Sequence, residues 1–299
     1  MPDSPAVLRA RLALWQLADR IKPARRASKR RAAALAQLEG EAYLRAANAA
    51  ARGIRGTHPT FARDGDSGLF ECHDGAQVHC FAHRPRVSYY LSGLARRGQQ
   101  LAGEYLLEHV DFGTDPRIVD IGANVGDLAL ALQARGVTAS LTSFEPSPME
   151  FAALERNLAA NPAVTGHDAR NAAAWKDATE AMTFYLKSGS ADSSLLPIEG
   201  YDTKIDVPTV RLDDALPRDA DYTLLKLEAE GAEPEILEGA SQVIRQFRFV
   251  AADVGFERGM KHESTLPEVT EFMLDHGFGI RAVGRQRLVL LFERKEGRA

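Results

Sequence analysis

Residues 117–132 read RIVDIGANVGDLALAL, and this run decides the fold class. An apolar strand over Arg117–Ile121 reaches Asp120, the chain turns at Gly122, and a helix begins near Val125 and runs to Ala134. Glycine has no Cβ, so at Gly122 the backbone can come close to a ligand, and a side chain there would stand in the ligand's path. The free N–H groups of the helix start then face an anionic or polar group. After the first strand of an α/β sheet, such a turn is where a nucleotide-like ligand binds.

Outward from this turn, strands and helices alternate, the pattern of a mostly parallel sheet with helices on its faces. Strands are expected at Ala139–Glu145, Val164–Asn171, Thr223–Glu228 and Phe249–Val254, with helices over Pro148–Ala160, Glu233–Gln246 and Pro267–His276. Two strands, Gly279–Val283 and Arg287–Glu293, flank the short turn GRQR and must be antiparallel. Ala181–Leu186 and Ile205–Val210 read as an antiparallel excursion around the polar loop SGSADSSLL.

Before Arg117 the signals are weaker. Helical periodicity runs to about residue 52 and breaks at Gly53 and Gly56, and THPTFARDGDSG reads as loop. Leu69–Phe81 is a hairpin turning at Asp74-Gly75, and one helix is expected from about Ser88 to Val110. The division is then an Ala/Arg-rich extension over 1–56, a lead-in over 57–115 and a catalytic domain over 116–299.

A 299-residue chain with 45% hydrophobic and 26% charged residues is neither fibrous nor wholly disordered. No apolar run approaches the roughly 20 residues of a bilayer span, and Arg9, Arg11, Asp19 and Arg20 interrupt any secretory signal. Two cysteines, Cys72 and Cys80, do not make a disulfide scaffold, so a cytoplasmic location is expected. The net charge of −4 conceals a first segment, 1–56, with ten Arg and two Lys against four carboxylates, or +8. A basic arm of this kind can bind nucleic acid or anionic lipid. The stripe Leu8, Leu12, Trp15 and Ile21 favours packing on the chain itself or on a second copy, so a homo-oligomer is a possible partner state and nucleic acid is not expected.

The spacing of the glycines argues about the ligand. A dinucleotide fingerprint, G-x-G-x-x-G, makes two close approaches to a pyrophosphate, whereas here Ala123 and Asn124 occupy the second position. A smaller anion, such as the carboxylate of a methionine moiety, fits better. Glu145 lies 23 residues beyond Gly122 at a strand's carboxyl edge, where it can accept both hydrogen bonds of a ribose diol or cap the helix after Pro148.

Three blocks then occur in order: D-I-G-A-N-V-G, F-E-P-S-P-x-x-F-x-x-L-x-x-N and L-K-L-E-A-E-G-A-E-x-x-I-L-x-G-A. Over residues 117–293 the chain resembles the FkbM family of S-adenosylmethionine-dependent methyltransferases. The resemblance implies a Rossmann-like class I fold, a seven-stranded sheet with its last strand antiparallel. It also implies S-adenosyl-L-methionine as cofactor and O-methylation of a sugar, glycan, glycolipid or polyketide-type hydroxyl. By position, Asp120, Gly122, Ala123, Asn124 and Gly126 would hold the methionine end, Glu145 and Pro146 the ribose, and Asp168, Asn171 and Ala172 would border the adenine. A nicotinamide-dependent oxidoreductase and a non-catalytic nucleotide-binding module on the same fold are the alternatives.

The family pattern K-I-D-x-E-G-A-E becomes K-L-E-A-E-G-A-E, so Glu228 stands one methylene further out than the family's aspartate. Lys226 and Glu228 share one side of their strand, a costly placement unless the pair is functional or forms an ion pair. Glu228 is the first candidate base, Asp253 of the next strand the second, and Lys226 would orient Glu228 or hold an acceptor oxygen. Glu230, Arg258 and His262 are candidates for acceptor binding, although a lone loop histidine is also an ordinary surface residue. SGSADSSL reads either as a lid or as a surface loop. The group Cys72, His73, His79 and Cys80 is scattered along its hairpin, and no metal is expected.

Overall fold

The computed structural model describes residues 33–295, apart from 55, 57 and 188–192. The stripe from Leu8 to Ile21, with the oligomer reading built on it, and the first five residues of SGSADSSLL therefore lie outside the described residues. The chain divides into two units, Met1–His79 with His83–Leu94, and Cys80–Ala82 with Ala95–Ala299.

In the first unit, helix α1 (Gly40–Arg52) buries Tyr43, Ala47, Ala50 and Ala51 along one face. It stops at Gly53, whose N–H bonds back to Ala50. The expected loop 57–68 instead contains strand β1 (Thr60–Arg63), paired antiparallel with β2 (Phe70–Asp74) through Phe61 opposite Cys72. Tertiary partners decide this. Phe61 is buried, and the Asn48 side chain accepts its N–H at 2.6 Å and donates to its carbonyl at 3.0 Å. Strand β3 (Gln77–Phe81) completes the hairpin, with the turn on Gly75-Ala76, one residue beyond the expected Asp74-Gly75. Nor is the helix after it continuous. Helix α2 (Val87–Tyr90) ends before Gly93 at φ +88°, and α3 (Leu94–Glu104) begins afresh with the Leu94 N–H donated to the Asp74 carboxylate at 2.8 Å.

The second unit is built on a seven-stranded sheet. Strands β4 (Arg117–Ile121), β5 (Ala139–Phe144), β6 (Val164–Arg170), β10 (Tyr222–Leu227), β11 (Phe247–Asp253), β12 (Phe278–Val283) and β13 (Val289–Arg294) take the order β12-β13-β11-β10-β4-β5-β6. Only β13 runs against its neighbours, which makes this the class I methyltransferase arrangement. Both faces of the central strands are covered, which explains their continuous apolar runs. Val119, Ile121, Leu225, Leu227, Val250 and Ala252 pack on one face, while Ile118, Leu224, Phe249 and Ala251 pack on the other.

Helices α4 (Asp127–Ala134) and α5 (Pro148–Ala160) fall where the sequence places them, apart from a start at Asp127 rather than Val125. A three-stranded sheet, β7 (Ala173–Ala174), β9 (Thr203–Val210) and β8 (Thr179–Leu186), forms the excursion, with β8 and β9 antiparallel. The expected helix Glu233–Gln246 is shorter. Helix α7 (Glu233–Glu238), which follows the single turn α6 (Leu212–Ala215), ends at Gly239, whose carbonyl accepts the Asp213 N–H at 3.0 Å and where an added Cβ would lie 2.3 Å from the Trp175 carbonyl oxygen. The Asp213 carboxylate then accepts the N–H groups of Gln242 and Val243 at 3.0 and 2.8 Å, so a second, 3-10 turn begins at Val243. Helix α8 (Leu266–Asp275) leads into the last hairpin.

Candidate active site

The carboxyl edges of β4 and β5 meet at the glycine turn. The Ala123 N–H donates to the Phe144 carbonyl at 3.0 Å, and the Asn124 N–H donates to the Glu145 carboxylate at 2.7 Å. Asn124 adopts φ +50°, a conformation its short polar side chain tolerates, and its Oδ1 accepts the Val125 N–H at 3.0 Å. Asn157, which closes the second sequence block, donates to the Val125 carbonyl at 2.6 Å and to that of Cys80 at 2.8 Å. Gly122 is also needed within the fold itself. At φ +64°, an added Cβ would sit 1.9 Å from the Glu228 carbonyl oxygen, so the missing side chain makes room for the end of β10. Gly126, at φ +79°, caps α4 and lies against Leu154 and Leu158.

Glu145 is 5% exposed, and its second oxygen accepts the Ser147 N–H at 2.8 Å. Burial, followed by the nearby Glu150 carboxylate, raises its pKa to about 7 despite the two backbone donors. Asn171 ties this corner to the end of β6 by donating to the carbonyls of Glu145 and Pro146 at 2.9 and 3.0 Å. Ala172 is buried beside it. Asp168 lies two residues inside the strand end, and its carboxylate pairs with Arg170 at 2.7 Å.

The edges of β4, β10 and β11 carry a second, charged cluster. Lys226, 3% exposed, places its Nζ 3.1 Å from Asp120 and 3.4 Å from Glu228, and it donates to the carbonyls of Ile121 and Gly122 at 3.0 and 2.7 Å. Burial opposes its charge, but Asp120 and Glu228 outweigh burial and raise its pKa, so it remains an ammonium. Glu228 also accepts from the Tyr105 hydroxyl and from Arg287, each at 2.5 Å. Arg287 reaches Asp253 with the same guanidinium and lies 3.7 Å from Glu257. The positive charge between Glu228 and Asp253 is therefore an arginine's. Among the described residues no three His, Cys, Asp or Glu gather into a metal-binding group.

These settings separate the carboxylates. Burial raises Glu228, yet Lys226, Arg287 and the Tyr105 hydroxyl together pull its pKa down to about 2. Burial, then Asp253, raises Glu257 to about 8. Asp253 is raised as well, by burial and with Glu228 adding to it, against the pull of Arg287. Glu228 thus stands at the expected edge in a setting unsuited to the expected role, since a carboxylate this acidic is a weak proton acceptor at neutral pH. The extra methylene of Glu228 is used to reach Tyr105 and Arg287.

The loop after β10 is held by Glu233, which accepts the N–H groups of Ala229 and Gly231 and the Thr265 hydroxyl. Arg258, expected to meet the acceptor, is instead committed to the Glu235 carboxylate and the Gly231 carbonyl. Glu230 takes φ +52° and its carbonyl accepts from Ser194, one end of the expected lid. His262 is largely exposed, 4.0 Å from Glu199, away from the cluster contacts just described. Cys72 and Cys80 are both buried, and His73 bonds to Glu71. Tyr105 and Arg287 were missed by the sequence reading. Arg287 had a signal, because the antiparallel β13 must start at the edge where β11 ends, which brings Val289 opposite Asp253.

The methyltransferase FkbM domain model matches residues 120–280, more than half of the chain. The chain belongs to the FkbM methyltransferase family. It is 27% identical over 234 residues to methyltransferase sdnD of Sordaria araneosa, a match covering 65% of this chain and 87% of that protein. It is 26% identical over 212 residues to the 31-O-demethyl-FK506 methyltransferase FkbM of Streptomyces tacrolimicus, covering 60% and 78%. A ribosomal protein L11 methylase from Lactobacillus delbrueckii subsp. bulgaricus aligns with a TM-score of 0.38 at 16% identity, over 68% of this chain and 79% of that one. The family membership sets aside the oxidoreductase and non-catalytic readings, and S-adenosylmethionine is the cofactor of this FkbM-family enzyme.

The residues present suit that cofactor. Asp120 is sealed from solvent, and its Oδ2 accepts no hydrogen bond from a described residue, which leaves an acceptor for an ammonium group. Each Glu145 oxygen holds one backbone N–H and keeps a second lone pair for a ribose hydroxyl. Replacing Glu145 by Gln is expected to weaken S-adenosylmethionine binding by about 10- to 100-fold, the worth of charge-assisted hydrogen bonds of roughly 1.5–3 kcal/mol. Ribose hydroxyls would donate to the ionised carboxylate, so affinity is expected to fall as pH drops through the Glu145 pKa of about 7. Calorimetry at pH 6 and pH 8 checks this, and a flat profile would remove Glu145 from the ribose site.

Proposed function

We propose that this methyltransferase transfers its methyl group to a hydroxyl oxygen of a sugar, glycan, glycolipid or polyketide-type acceptor by direct displacement. The observation that carries the reading is the cluster at the edges of β4, β10 and β11. Four carboxylates, Asp120, Glu228, Asp253 and Glu257, face two cations, Lys226 and Arg287, and three of the four, Asp120, Asp253 and Glu257, have raised pKa values.

When bound, S-adenosylmethionine supplies an electrophilic methyl carbon next to a positive sulfur, and transfer breaks the carbon–sulfur bond as a carbon–oxygen bond forms. The excess of carboxylates favours a cation nearby. Asp120 and Glu145 would hold the two ends of the cofactor, with Gly122 to Gly126 forming the turn between them. Lys226 fixes that turn through the Ile121 and Gly122 carbonyls.

An acceptor hydroxyl must lose its proton as it attacks. Asp253 and Glu257 both lie beside Arg287, and burial with the repulsion of neighbouring carboxylates raises the pKa of each, which makes them better proton acceptors than Glu228. This pair takes the proton, and Glu228 stays ionised to position Tyr105 and Arg287. The acceptor in the printed name of the Streptomyces relative, an O-demethyl compound, agrees with transfer to oxygen. Incubation with S-adenosylmethionine labelled in the methyl group, across hydroxyl, amine and thiol acceptors, tests the reading. Label is expected in hydroxyl acceptors; label confined to amines or thiols would refute it.

A further inference from the structure

Within the sheet unit, a cavity of about 510 Å³ opens between α3 and the β12–β13 turn. This volume lies in the roughly 300–1,000 Å³ range of small-molecule sites. Arg287 forms part of its wall, and the same guanidinium bridges Glu228 and Asp253, so the cavity adjoins the charged cluster.

The lining chemistry is unusual for an enzyme of apolar substrates. Three amides, Gln99, Gln100 and Gln286, line the space; Gln100 donates to Glu104 at 2.8 Å, and the other two can both donate and accept hydrogen bonds, as a hydroxyl does. Arg287 is already committed to Glu228 and Asp253, which leaves Glu104 and Glu108 against Arg285 with His109 beside them, so no surplus of cations is offered to an anionic ligand. Apolar lining is confined to Leu106 and Val283. Gly103 also lines the cavity, in the last turn of α3, with ordinary helical backbone and nothing within 4 Å of an added Cβ. Glycine weakens a helix, and no close neighbour requires one here; its effect is to keep the cavity open.

We infer that this cavity is the acceptor subsite and that it takes a neutral, hydroxyl-rich molecule of the glycoside class, a conclusion that rests on the methyl-transfer reading of the adjoining cluster. An apolar polyketide would leave the amides unpaired, and a phosphorylated sugar would lack a surplus of cations.

Saturation-transfer NMR on the full chain with S-adenosylhomocysteine present tests it, using neutral methyl glycosides, a sugar phosphate and an apolar macrolactone as probes. The glycosides are expected to give the strongest transfer. Gly103→Trp, which fills the cavity, should abolish it, and Gln286→Leu, at an exposed turn, should weaken glycoside affinity about tenfold, the worth of one hydrogen bond of ~1.4 kcal/mol. S-adenosylhomocysteine affinity should stay within about twofold in both variants, since the cavity lining lies outside the cofactor turn. Absence of glycoside transfer, transfer that survives Gly103→Trp, or preference for the macrolactone or sugar phosphate would overturn the assignment. Failure of the methyl-transfer reading would appear separately, as label confined to amines or thiols in the transfer assay, and the glycoside measurement stands without it.

Discussion

Asp253→Asn is expected to slow methyl transfer by about 10²–10⁴-fold, the usual worth of a positioned general base, with S-adenosylmethionine affinity nearly unchanged. Asp253 ends β11 at 4% exposure, its Oδ1 accepts the Gly255 N–H at 3.0 Å and its Oδ2 faces Arg287. Asparagine keeps this shape while losing the charge that receives a proton. The pH profile separates Asp253 and Glu257 from Glu228. A base must be unprotonated, so turnover should rise with pH through the Glu257 value of about 8 and level off above it. Glu257→Gln should remove or displace that limb, because Glu257 is the group raised to about 8 and its charge also acts on Asp253. Glu228→Gln should retain it, because Glu228, at about 2, is already ionised throughout the range. Stopped-time assays between pH 6 and 10 on the three variants read all of this. Near-normal turnover in Asp253→Asn and Glu257→Gln together would leave proton removal to another group or to water.

Gly122→Val should damage the fold before it damages binding. The new Cβ would meet the Glu228 carbonyl oxygen, a backbone atom held by the β10–β4 pairing, and a β-branched residue would be forced to φ +64°. Left-handed backbone alone costs roughly 1–2 kcal/mol for a residue with a Cβ, and the clash brings the total to about 4 kcal/mol or more. For a unit of about 200 residues this lowers the melting temperature by about 10 °C or more. Thermal unfolding followed by circular dichroism without cofactor measures it. A melting temperature within about 2 °C of wild type, coupled with lost cofactor binding, would mean that Gly122 faces the ligand after all.

What the sequence determined by itself was everything carried by local period and by turn chemistry. The bounds of β4 and α5, the antiparallel closing hairpin and the glycine turn follow from adjacent residues, β4 from an unbroken apolar run and α5 from burial that repeats every 3.6 positions. The three sequence blocks added the family and the cofactor, because each block folds onto one strand-to-helix corner and keeps its spacing there. Where local signals competed with distant partners, the structure decided. Thr60–Arg63 is a strand because Asn48 and Cys72 meet Phe61, and the helix after Glu233 ends at Gly239 where Asp213 takes the Gly239 carbonyl and the N–H groups of Gln242 and Val243.

The roles within the site were decided in the same way. Glu228 was legible as a carboxylate on the edge of a central strand, but its acidity was not, for that depends on Tyr105, 123 residues earlier, and on Arg287, 59 residues later. A pKa is set by desolvation and by charges within a few ångströms, and only the pairing of β4, β10, β11 and β13 brings those charges together. The sequence could name the carboxylates; which of them holds a proton at neutral pH was fixed by the sheet edge they share.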